Sequence, residues 1–234
     1  MALRGQGVLA IWNGIAPESE DDFYRWHNTE HMPERVGVPG FLRGRRYLSA
    51  ARPRDFFTLY ETESVETIRS EPYLARLNDP TPWTRRVVAH FRDTMRVGCR
   101  VVASCGRGQG GAVLTARLFP RGVGAKWLRA GLTAPDLVLA RQLAGVLGIH
   151  VLEPVPETTE IQTTEKQLRG PQAGEGTGPQ PWVLLVECMD AELAEALVRG
   201  PLRRRVDQSE TVTGVYRCQL TMDPAQPGAP GLGS

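Results

Sequence analysis

The order in which strand and helix signals follow one another constrains this chain most. An apolar run at residues 8–13 suits a buried strand. Pro17 and the acidic stretch at 18–22 then open a helix, because carboxylates favour the positive end of the helix dipole. Phe23, Trp26, His27, Glu30, His31 and Glu34 follow at three- and four-residue spacing, and Pro39-Gly40 ends the run. Strands at 41–48 and 55–61 flank a turn at 51–54. Helical spacing resumes after Ser64 through Ile68, Leu74 and Leu77, and again from Trp83 to Phe91. A Val-rich strand at 94–104 completes the order βαββαβ, the split arrangement of a ferredoxin-like unit. Beyond a Gly-rich joint at 106–111 the order returns in weaker form. Strands are expected at 112–119, 149–152, 182–188 and 212–221, and helices at 133–146 and 191–199. The expectation is an α+β fold of two tandem ferredoxin-like repeats, residues 1–105 and 112–223, duplicated in architecture and not in sequence.

Composition narrows the function. The 234 residues are 41% hydrophobic and 23% charged, as in an ordinary globule, and the formal net charge is +2. That charge, with short basic clusters at Arg43, Arg45 and Arg46 and at 203–205, gives no nucleic-acid footprint. No apolar run reaches the roughly 18 residues of a membrane helix. Cys99, Cys105, Cys188 and Cys218 show no paired spacing. With no leader peptide at the N-terminus, reduced thiols in a cytoplasmic protein are expected. Residues 153–181, rich in Pro, Gly, Thr and Glu, read as a flexible insertion, and 224–234 as a disordered tail. Neither is an expected place for a catalytic group.

Chemistry concentrates on the first helix. Positions 23, 27 and 31 share a face, and a buried neutral imidazole is a competent proton shuttle near pH 7. The plainer reading is that His31 caps or packs the end of the helix and His27 is exposed. Glu30 points about 100° away from His31, so a direct pair between them is not expected. His27-x-x-Glu30-His31 matches the pattern of inverted zinc peptidases, but a third ligand and a larger protein are missing, and no metal site is assigned. On the following strand Arg45 and Tyr47 share one face and Arg46 takes the other. Whichever face meets a pocket can hold a carboxylate, enolate or phenolate. Trp12, Trp26 and Trp83 are core residues by type, although one of them can floor a site for an aromatic ligand. His90 and His150 stand without companions and read as structural.

Trp26-His27-Asn28-Thr29-Glu30-His31-Met32-Pro33-Glu34-Arg35, with Val38-Pro39-Gly40-Phe41 and Arg45-Arg46-Tyr47, resembles the EthD-type branch of the dimeric α/β-barrel superfamily. Members of that branch carry a Trp-x-x-x-Glu-His-x-Pro helix, then a Pro-Gly-Phe turn into a strand bearing Arg and Tyr. The likeness covers roughly residues 7–105. It implies two antiparallel sheets packed into an α/β barrel, usually across a homodimer; here the second repeat can supply the partner sheet, and a dimer of such chains stays open. It also implies a small-molecule pocket between a sheet and its covering helices. Since the second-half helix lacks histidine and tryptophan, one such site per chain is expected. The reading is then a small-molecule enzyme that needs no cofactor. It would transfer protons, as a lyase, isomerase or monooxygenase-like protein, on an apolar carbonyl or aromatic substrate. His31 is the expected catalytic residue, and Trp26, His27, Glu30, Arg45, Arg46, Tyr47 and Trp83 the substrate-binding ones. The alternative is a non-catalytic ligand-binding or accessory protein on the same scaffold; a haem or metal oxidoreductase is a third.

Overall fold

The computed structural model describes residues 3–119, 128, 133, 135–170, 179–202 and 210–225. Eight strands form one closed barrel. The first four are β1 (Gly7–Ile15), β2 (Phe41–Ser49), β3 (Asp55–Thr62) and β4 (Phe91–Gly106). The last four are β5 (Ala112–Phe119), β6 (Val146–Pro154), β7 (Trp182–Cys188) and β8 (Glu210–Met222). Every pairing is antiparallel, and the circular order is β1-β3-β2-β8-β5-β7-β6-β4. Each half therefore contributes its strands in the order fourth, first, third, second, and the halves join at β2–β8 and β4–β6. Closure leaves no free sheet edge.

Helices cover the outside: α1 (Glu20–Trp26), α2 (Met32–Val36), α3 (Glu71–Asn78) and α4 (Pro82–Val88) from the first half, then α5 (Pro135–Arg141), α6 (Pro156–Thr159), α7 (Thr164–Arg169) and α8 (Ala191–Arg199). Both faces of the strands are buried, which is why β1 is an almost continuous apolar run. Its Val8, Ala10 and Trp12 point into the barrel beside Phe57 and Leu185. Its Leu9 and Ile11 face outward, towards the layer of Met32, Val36 and Tyr73. On the other half Leu184 and Val186 carry Leu137, Ala194 and Leu197.

One end of the barrel interior is ionic. Arg43 Nη2 meets Glu61 Oε1 at 2.7 Å, and Arg45 Nη1 meets Glu187 Oε1 at 2.6 Å, a contact between residues 142 positions apart. Charges taken this far from water persist only when paired in this way.

Two expectations shift. The last first-half strand begins at Phe91, not at 94, and its 16 residues reach both β1 and β6. Residues 153–170, expected as a flexible insertion, finish β6 and form α6 and α7. Pro156 sits in the first turn of α6, and the Thr163 side chain caps α7 by accepting from the Lys166 amide. Residues 171–178 of that segment, the basic cluster at 203–205 and the tail from 226 lie outside the described residues. Among the described residues no helix is long and apolar enough to cross a membrane.

Candidate functional site

The site is built on a widened turn of helix. Between α1 and α2, residues His27–His31 form a π turn, closed by the Met32 amide donating to the His27 carbonyl. Pro33 supplies the cause. It has no N–H, and its ring clashes with the carbonyl four residues back, so the preceding turn opens. In a regular α-helix Trp26 and His31 would lie about 140° apart around the axis. An i→i+5 turn brings them together instead. Their rings stack with centroids 4.2 Å apart and planes tilted by 32°.

The His31 ring lines a partly enclosed cavity between these helices and the outer face of the sheet. Trp26, His31 and Arg35 come from the motif helices, and Ile11, Tyr60, Phe91 and Arg96 from the sheet. Tyr73, Leu74 and Leu77 of α3 form one wall. The roof comes from the second half: Thr159, Ile161, Thr163, Glu165, Lys166 and Arg169. The volume is about 50 Å³. A cavity of about 150 Å³ takes a benzene ring, so the enclosed part of this one holds a few water-sized groups.

The roof is latched. Arg35, 1% exposed, pairs with Glu165, 4% exposed, and with Glu34 at 3.1 Å. Burial pulls the guanidinium towards neutrality, but Glu165, Tyr73 and Glu34 outweigh it and the charge stays. Thr164 adds two hydrogen bonds to Asn78 at the end of α3. Gly98 of β4 is bare where α6 packs down, since a Cβ there would overlap the Thr158 side chain.

Electrostatics hold His31 in its base form. Burial, then the charges of Arg35, His27 and Arg169, push its pKa well below the ordinary value of 6.5. Its Nδ1 is buried and meets no hydrogen-bond partner among the described residues. Tyr60 also lines the cavity; its hydroxyl is buried without a partner among the described residues, and burial drives its pKa up, so it stays a donor.

The other expected site residues divide. Trp26 lines the cavity and is fixed by its Nε1 donating to Thr84 Oγ1 at 3.0 Å. Glu30 supports that arrangement from behind, accepting from the hydroxyls of Thr81 at 2.6 Å and Thr84 at 3.2 Å. His27 is 3% exposed, so it is not the surface group of the plainer reading. It packs 5.6 Å from His31, centroid to centroid, and Arg46 Nη1 lies 3.3 Å from its Nδ1. Arg46 also donates to Asn28 Oδ1 at 2.7 Å. Neither lines the cavity. Arg45 and Tyr47 share the opposite face of β2 and point into the barrel, so the sheet itself separates them from the cavity. Trp83 lies at the rim of α4, bonded to Asp22 at 2.9 Å, and is not a lining residue either. Arg35, Tyr60, Tyr73, Arg96 and the α6–α7 residues are the lining groups that sequence reasoning missed. For Arg35 a signal existed: it follows His31 by four residues, on the same face. Among the described residues no group of three or more His, Cys, Asp or Glu side chains is gathered to hold a metal ion.

No family model matches the chain, and no curated protein does. Solved structures do. An anthrone oxidase-like protein superposes with a TM-score of 0.66 at 12% identity, over 97% of this chain and 96% of its own. A candidate monooxygenase from Lactobacillus acidophilus NCFM gives 0.55 at 8% identity, over 93% and 96%. A candidate chlorite dismutase gives 0.54 at 11% identity, over 93% and 96%. At such identities the likeness is one of fold: this chain has the closed α/β barrel of these proteins.

Proposed function

We propose that this chain is an EthD-like, cofactor-independent small-molecule enzyme whose general base is His31. The substrate is an apolar carbonyl compound or an aromatic one, taken into the cavity under α6 and α7. The observation that carries the reading is the His31 ring: neutral, stacked on Trp26 and lining the cavity, its buried Nδ1 without a hydrogen-bond partner among the described residues. In the step proposed, a C–H bond next to the carbonyl breaks and the proton passes to the imidazole. The electron pair moves onto the carbonyl oxygen, and the hydroxyl of Tyr60, which lines the same cavity, would donate to the enolate. Returning the proton to another carbon would complete an isomerisation, and loss of a neighbouring group a lyase reaction. The fold of the monooxygenase-like neighbours supports the general class without selecting among such outcomes.

The test is solvent deuterium incorporation at the α-carbon of a panel of enolisable aryl ketones, followed by NMR. The wild-type chain should accelerate exchange, and His31→Gln should lower the enzymatic rate by about 10²–10⁴-fold. Ligand binding with no acceleration by the wild type would point instead to a binding protein on the same barrel. Acceleration that His31→Gln leaves unchanged would remove His31 from the chemistry.

A further inference from the structure

The charges around the cavity do not balance. Among the described residues Glu165 is the one carboxylate lining it, and Arg35 engages that carboxylate. Arg96 and Lys166 line the same space, half-buried, and their hydrogen bonds go to neutral oxygens. Arg96 Nη1 donates to the Thr158 carbonyl at 2.7 Å and Lys166 Nζ to the Thr159 carbonyl at 3.1 Å. Two cations are thus parked on the carbonyls of neighbouring residues, at the junction of sheet and roof. Arg96 also reaches the Tyr73 hydroxyl at 3.5 Å and lies 5.9 Å over the Tyr73 ring. A guanidinium has five donors and an ammonium three, so both groups retain capacity. Like charges lining one partly desolvated site repel, and a bound anion would reverse that term.

We infer that the cavity's ligand is an organic anion: a carboxylate-type group bridges Arg96 and Lys166, and an apolar body lies against Tyr73 and Trp26. The inference rests on the cavity being the ligand site, and adds the charge of its occupant. It has a chemical consequence. Arg35, Arg169 and His27 are the charged or titratable groups that depress His31, with Trp26 stacked on its ring and Tyr60 lining the same cavity. An anion bridging Arg96 and Lys166 in the same cavity would offset part of that positive field, so His31 becomes a stronger base when the ligand is present.

Benzoate and its neutral isostere benzamide test this by NMR titration of the intact chain. Benzoate should bind at least about tenfold more tightly, the discrimination of one charge-assisted hydrogen bond. Added salt should weaken benzoate and spare benzamide. The Arg96→Gln/Lys166→Gln variant should bring the two affinities within about twofold, and Lys166→Gln alone reports the same trend should the double variant fold poorly. Binding of benzoate should also raise the His31 titration midpoint. Equal affinity for the two probes would overturn the inference, as would no benzoate binding at millimolar concentration or a preference surviving in the variants. The proton-transfer reading fails separately, through deuterium exchange that does not respond to His31→Gln.

Discussion

Replacing Glu165 by Gln tests whether the second half of the chain roofs the first half's site. The substitution keeps shape and removes the charge that faces Arg35, whose side chain is 2% exposed. Breaking a buried ion pair by neutralising one partner costs about 3–5 kcal/mol, because the remaining charge stays desolvated. Here Glu34 persists at 3.1 Å, with a side chain 17% exposed. The expected loss is therefore smaller, about 2–3 kcal/mol. In a chain of this size that is a fall in Tm of about 4–12 °C. Urea unfolding should show it as a lower midpoint with an unchanged slope. The double variant Arg35→Met/Glu165→Leu should recover most of the loss, since no buried charge is left behind. A Glu165→Gln variant within about 0.5 kcal/mol of wild type would behave as an exposed pair does, and would refute the docked roof.

Acid should destabilise the fold through its buried imidazoles. Burial, followed by nearby arginines, lowers the pKa of His27 well below 6.5 and that of His150 to about 3. Below pH 6.5 the unfolded chain binds protons that the folded one refuses, so stability falls as pH drops, by about 1.4 kcal/mol per pH unit for each imidazole. For His150 the loss continues down to about pH 3. Urea unfolding between pH 7.5 and 5 should show this slope, and His150→Gln should flatten it by one imidazole's share; an unaltered slope would contradict the assignment. Gly98→Ala should force α6 off β4, since the new Cβ would overlap Thr158 Oγ1 and lie 2.7 Å from its Cβ. The expected cost is about 1–3 kcal/mol. Amide hydrogen exchange in α6 and α7 should quicken, and a neutral variant with unchanged exchange would speak against close packing there.

The strand order was legible because alternating turn and apolar signals punctuate the chain and the Gly-rich joint separates two similar series. The division of β2 was legible too, since a period of two puts Arg45 and Tyr47 opposite Arg46. Which side held the cavity was not. Both faces of a barrel strand are buried, so the same pattern serves an ionic interior and a helix-covered exterior. The π turn carried its own sign in Pro33, four residues after Thr29, but reading the helix as regular concealed the Trp26–His31 stack. The roof was the least readable part. Helices as short as Pro156–Thr159 and Thr164–Arg169 are too brief to show a hydrophobic period. They are ordered by distant partners, above all by Arg35, 130 positions from Glu165.

The pH profile of ketone deuterium exchange, measured for wild type and for His31→Gln, tests the central claim most directly. A base held neutral by burial and by Arg35 predicts a rate that stays level from pH 8 to below 6.5. The rate should fall only as His31 at last takes a proton, and His31→Gln should lack that step. An acid limb centred at or above 6.5, or the same limb in both proteins, would show that another group moves the proton.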